Sequence, residues 1–158
     1  MKKLLFTGII STLLLLGLSG CYKTCESPFA PNYTLEGACI DLTASITGNY
    51  TGQLMDSIVG LHSTTTNSVT IQLTKIDDAH VQVSSTLPAF VAYSAVVSQS
   101  ANGYYLTVPS QTATNGLTVV GAGTYFGASA DGVYVSSDST LTVYALAGTQ
   151  YQGFTGKQ

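Results

Sequence analysis

The 158-residue chain contains no tryptophan and no arginine, and charged side chains make up only 8% of it. Apart from Lys2 and Lys3, its cations are Lys23, Lys75 and Lys157. They stand against Glu26, Glu36, Asp41, Asp56, Asp77, Asp78, Asp131 and Asp138. Neutralising phosphates takes clustered Lys and Arg, so nucleic acid and anionic, phosphate-rich surfaces are disfavoured as partners. No stretch shows a sustained 3.6-residue apolar period with a convincing cap, which argues against long helices. No Gly-x-Ser-x-Gly elbow and no set of His, Cys and carboxylates at metal-ligand spacing occurs, so no catalytic residue, metal site or cofactor is expected. What is abundant is Val, Leu and Ile interleaved with Thr, Ser, Gly and Tyr, the mixture of a chain kept soluble by hydroxyls and amides.

The amino terminus reads as an export signal: a basic start at Lys2 and Lys3, an apolar run around Ile9, Ile10 and Leu13 to Leu16, then small residues. The run is shorter than the ~20 apolar residues that span a bilayer. It ends in Leu18-Ser19-Gly20-Cys21, which resembles, residue by residue, the lipobox of bacterial lipoproteins. That resemblance implies cleavage of residues 1–20, diacylglycerol on the Cys21 thiol and an acyl chain such as palmitate on the new amino terminus. Two or three chains, at about 0.8 kcal/mol per buried methylene, anchor a protein stably. Tyr22 follows the cysteine where aspartate would favour inner-membrane retention, so the expected location is the cell envelope, at the outer membrane.

Residues 21–43 have neither period and carry Pro28, Pro31, Glu and Ser, as a tether would. In an oxidising compartment Cys25 and Cys39 are expected to form a disulfide, with a chain-entropy gain on the order of 3 kcal/mol. A metal pair and mixed disulfides with a partner are the alternatives, though neither cysteine has histidine nearby.

From residue 44 onward the pattern has period two. Ile46, Gly48, Tyr50, Gly52 and Leu54 alternate with Thr47, Asn49, Thr51 and Gln53; Val69, Ile71 and Leu73 alternate with Thr70, Gln72 and Thr74. Asp77-Asp78 marks a turn before Val81 and Val83, and a run from Phe90 to Val97 follows. Asn102-Gly103, Asn115-Gly116, Asp131-Gly132, the Ser136 to Ser139 stretch and Ala147-Gly148 punctuate the remaining segments. This predicts roughly eight or nine short strands over residues 44–158, an all-β antiparallel domain, with a barrel expected and a β-sandwich as the alternative. A barrel removes the exposed edges that invite pairing with neighbours.

Gly48-Asn49-Tyr50-Thr51-Gly52 and the closing Tyr151-Gln152-Gly153-Phe154-Thr155-Gly156-Lys157 resemble the termini of calycin-like, lipocalin-like barrels of small bacterial lipoproteins. The resemblance implies an up-and-down barrel in which the first and last strands pair. The chain departs from lipocalins in lacking their Gly-x-Trp signature and a C-terminal helix, so no ligand-binding residue carries over.

The remaining constellations have ordinary readings. Asp77-Asp78-Ala79-His80 holds potential metal ligands but sits where a turn uses Asp to bond nearby amides. His62 lies in a Ser-Thr-Thr-Thr stretch that reads as an exposed loop. Gly121 to Gly127 misses phosphate-loop spacing and reads as a flexible loop or bulge. The tyrosines, of which there are 10, either fill strand positions or line a cavity and stack on sugars. Asp56-Ser57-Ile58 and Asp138-Ser139-Thr140 look like acceptors of one bacterial O-glycosylation system. The expected function is non-catalytic: a membrane-anchored barrel holding a small apolar or amphipathic ligand, or alternatively a filled barrel serving an envelope protein partner. Inward residues decide between them, since large ones fill the barrel and small ones leave a pocket.

Overall fold

The computed structural model describes residues 23–58 and 62–158. The expected signal segment, with Leu18 to Cys21, lies outside the described residues. Among the described residues, ten strands form one antiparallel sheet: Gly48–Ile58 (β1), His62–Lys75 (β2), His80–Ser85 (β3), Tyr93–Ser100 (β4), Gly103–Thr107 (β5), Gln111–Thr112 (β6), Thr118–Gly121 (β7), Gly132–Val135 (β8), Thr140–Ala147 (β9) and Gln150–Lys157 (β10). β1, β2, β3, β4, β5, β8, β9 and β10 follow one another round the wall, and β10 returns to pair with β1 from Thr51↔Lys157 to Ile58↔Gln150. The result is a closed, eight-stranded, up-and-down barrel. β6 and β7 are an excursion from it: β7 takes the edge of β9 beyond β8, with Val119 opposite Ala147, and β6 pairs β7.

Alternation places the apolar set inside. Tyr50, Leu54, Ile71, Leu73, Val81, Val83, Tyr93, Leu106, Leu141, Val143 and Phe154 are buried in one cluster, while Thr51, Gln53, Thr70 and Gln72 face solvent. Burying each large apolar side chain contributes about 1.5–3 kcal/mol. The glycines of the terminal motifs have a steric task at the closing seam. Gly52 and Gly156 face each other across β1 and β10, where a Cβ on Gly52 would overlap the Thr155 carbonyl and one on Gly156 the Phe154 ring.

Both ends of the barrel are plugged by chain. At one end, residues 41–47 fold into a turn capped by Asp41, whose Oδ1 accepts from the Thr43 and Ala44 amides. Ile46 is therefore not the first strand residue expected of it. It lies buried across the barrel end, where its carbonyl accepts the Tyr50 hydroxyl at 2.7 Å. At the far end, residues 86–92 cross the opening with Phe90 and Val91 buried. The strand expected from Phe90 starts only at Tyr93, because Pro88 lacks an amide and bends the chain into a plug. Gln152 holds this plug, taking the Val91 amide on Oε1 and giving Nε2 to the Ala89 carbonyl and to Asp56. The Ser63 to Thr66 stretch, read as a loop, belongs to β2 and pairs with β1 from Ser57↔Ser63 to Leu54↔Thr66. Its threonines are good strand residues once a partner strand is present.

Cys25 and Cys39 form the expected disulfide. It closes a turn-rich segment with short bridges between Thr24 and Glu36 and between Cys25 and Tyr33. The segment docks on the β2–β3 turn, with the Phe29 ring edge-on to His80 at 5.3 Å between centroids.

Candidate functional site

Inward positions carry large side chains such as Tyr50, Leu54, Ile71, Leu141 and Phe154 beside the smaller Ala95 and Ala145, and several hollows open on the outer wall. The most distinctive of these lies over β10. A single 3₁₀ turn, Gly123–Phe126, leaves the end of β7 and lies back on the wall. It is held by the Gly123 amide donating to Asp131 Oδ1 at 3.2 Å and by the Ala128 amide donating to the Gly123 carbonyl at 2.9 Å. It ends at Gly127, whose φ of 73° is left-handed and suits glycine. The Gly121 to Gly127 stretch is thus an ordered turn, not the flexible loop or bulge its composition suggested.

This turn delivers Tyr125 and Phe126 onto outward residues of β9 and β10. Tyr125 stacks on Tyr151 at 3.6 Å with the rings 6° apart, and Phe126 stacks on Tyr144 at 4.6 Å. Tyr125 and Phe126 meet edge to face at 5.1 Å, which joins the two pairs into a continuous aromatic shelf. Gly153 lies under it: a Cβ there would come within 3.1 Å of Tyr144. Beside the shelf is a groove of about 370 Å³ lined by Gln53, Met55, Thr65, Phe126, Tyr144 and Thr155, and no lining residue carries a charge.

Two polar side chains, Gln111 and Asp131, hold the wall where regular pairing runs out. β4 pairs β5 only from Val96 onward, which leaves Ser94 without a strand partner on that side. The side-chain amide of Gln111 takes its place, accepting from the Ser94 amide at 2.8 Å and donating to the Ser94 carbonyl at 2.8 Å. Asp131 clamps the adjoining gap, accepting the Val108 amide on Oδ2 at 3.0 Å and the Gly123 amide on Oδ1. Asp131-Gly132 had the look of a turn, and Gln111 had no signal at all. In sequence, an aspartate that closes a seam looks the same as one that closes a turn.

The other singled-out residues fall elsewhere. Asp77 and His80 close the β2–β3 turn, with His80 Nδ1 2.7 Å from Asp77 Oδ1, which also accepts the Ala79 amide. Beside them Lys75 bonds both Asp41 and Asp78. Burial would raise the Asp41 carboxyl, but its bonds to Lys75, Thr43 and Ala44 prevail and bring it down to about 2. Lys75 hydrogen-bonded to Asp41 and Asp78 is raised in turn, and the Asp78 carboxyl is lowered chiefly by Lys75. The His62 side chain, like Cys21, lies outside the described residues. Asp56 accepts the amides of Gln150 and Gln152, and Asp138 bonds the Thr140 amide and pairs with Lys157 at 3.4 Å. Among the described residues, Asp56, Asp77, Asp78, Asp138 and His80 do not line the groove beside the aromatic shelf.

Among solved structures, the chain is similar to that of a candidate outer membrane protein from Bacteroides fragilis NCTC 9343, with a TM-score of 0.50 and 14% identity. The match covers 79% of this chain and 55% of that protein, so the chain spans about half the length of its structural neighbour. At this identity the likeness is one of fold. No protein-family model and no curated protein matches the sequence.

Proposed function

We propose that this chain is a lipid-anchored, non-catalytic protein of the cell envelope whose barrel is a filled scaffold and whose recognition surface is its outer wall. The packed interior carries this reading. Tyr50, Leu54, Ile71, Leu141 and Phe154 occupy the space that a small apolar ligand would need, and plugs close both ends. A ligand inside would have to displace close-packed side chains, so the filled-barrel alternative is favoured over a lumen binder.

The anchor rests on Leu18-Ser19-Gly20-Cys21, and the envelope location on that motif together with the description of the structural neighbour. The wall itself supports a tether over a spanning barrel. A barrel that spans a bilayer turns apolar residues outward, whereas this one turns Thr, Ser and Gln outward and apolar residues inward.

Native mass spectrometry of the mature chain, recorded before and after denaturation, tests the reading. The expected result is the bare polypeptide with its disulfide. A discrete extra mass released on denaturation in repeated preparations would restore the lumen binder. Cys21→Ser tests the anchor separately, and is expected to abolish acylation and release the protein from membranes.

A further inference from the structure

We infer that the groove beside the aromatic shelf binds neutral carbohydrate, the sugar ring lying against Phe126 and Tyr144 with its hydroxyls toward Gln53, Thr65 and Thr155. This rests on the outer-wall reading and adds the ligand class.

Tyr144 has a structural reason to be where it is, because it covers the backbone exposed at Gly153. Phe126 is half-buried at the groove, its ring stacked on Tyr144 and met edge to face by Tyr125. A rigid apolar ring held in place by a short ordered turn can contact a ligand at small entropic cost.

The lining chemistry then selects the ligand. Gln53, Thr65 and Thr155 offer an amide and hydroxyls, exposed at the groove, and none of its lining residues is charged. Lys157 and Asp138, the ion pair on the same wall, engage each other. Phosphate or carboxylate ligands would find no counter-charge here. An acyl chain would cover amide and hydroxyl groups without bonding them, which costs free energy. A neutral sugar satisfies both halves, with axial C–H bonds facing the rings and hydroxyls meeting the amide and threonines. The volume of about 370 Å³ lies at the small end of ligand sites, in keeping with a short stretch of glycan and not a large folded partner.

The absence of tryptophan makes tyrosine emission a direct reporter. The mature chain is titrated with linear neutral hexasaccharides of glucose, mannose, xylose and N-acetylglucosamine, with polygalacturonate and laurate as the charged and apolar probes. Saturable binding of at least one neutral glycan is expected, weakened about tenfold or more by Phe126→Ala. Gln53→Leu, which does not touch the turn, should weaken it as well while leaving the unfolding midpoint in place. Silence across the neutral panel would overturn the inference. So would binding that neither variant changes, or a preference for polygalacturonate or laurate. A silent panel with a bare polypeptide in the mass spectrometer removes only the carbohydrate assignment, whereas a retained lumen ligand removes the outer-wall reading beneath it.

Discussion

The Gln111 side chain does the work of a missing peptide unit. Its amide presents one donor and one acceptor at the spacing of a strand, and Ser94 uses both. Gln111→Ala leaves that amide and carbonyl without partners in a partly buried wall and should cost about 1–3 kcal/mol in chemical denaturation. Gln111→Glu keeps the acceptor and loses the donor, so an intermediate loss is expected. Asp131→Asn should cost a similar amount, since one of its two acceptor oxygens becomes a donor facing a backbone amide. These residues could not be read from sequence, because each bonds a backbone group many positions away. The glycines of the terminal motifs were more legible as a pattern than as a reason. Gly52 and Gly156 show their purpose only when β1 and β10 lie side by side.

At the scale of elements, the disulfide-closed segment and the barrel are joined at the β2–β3 turn. Reduction of Cys25–Cys39 removes a loop constraint worth about 3 kcal/mol in the chain-entropy model. It should expose residues 23–40 to limited proteolysis while the barrel stays folded, since the core cluster lies wholly within residues 42–154. The junction also responds to acid. Asp41 has a folded value near 2 against an ordinary 3.8, so its contribution is complete above 3.8 and is lost as the pH falls from there through about 2. Asp77 and Asp78 are lowered and act in the same direction. Hydrogen exchange of residues 41–47 and of the turn at 76–79 should accelerate over that window, ahead of the barrel strands. Most strands were legible, because a wall with one wet and one dry face writes period two into the sequence. Phe90 and Ile46 misled because a plug residue is as apolar as a strand residue.

For the molecule as a whole, closure is what makes the parts interdependent. β10 supplies Phe154 to the core, Gln152 to the far-end plug, and pairing to both β1 and β9. Deleting residues 150–158 should therefore unfold the whole domain instead of fraying one edge. Size-exclusion chromatography should show aggregation, because the deletion also bares the edges of β1 and β9. The shelf depends on the same closure, being assembled from a turn after β7 and from outward faces of β9 and β10.

The sequence by itself determined the class of the fold, all-β with alternating faces, and it carries the lipobox-like Leu18 to Cys21 and the scarcity of cations on which the proposed location and partners rest. These are local properties, carried by composition, short motifs and period. Only the tertiary structure decided which side chains pack together inside the barrel, that Gln111 and Asp131 seal its wall, and that Tyr125, Phe126, Tyr144 and Tyr151 form one surface. Each of these depends on which strands become neighbours and on what fills the space between them, and neither is encoded at any single position in the chain.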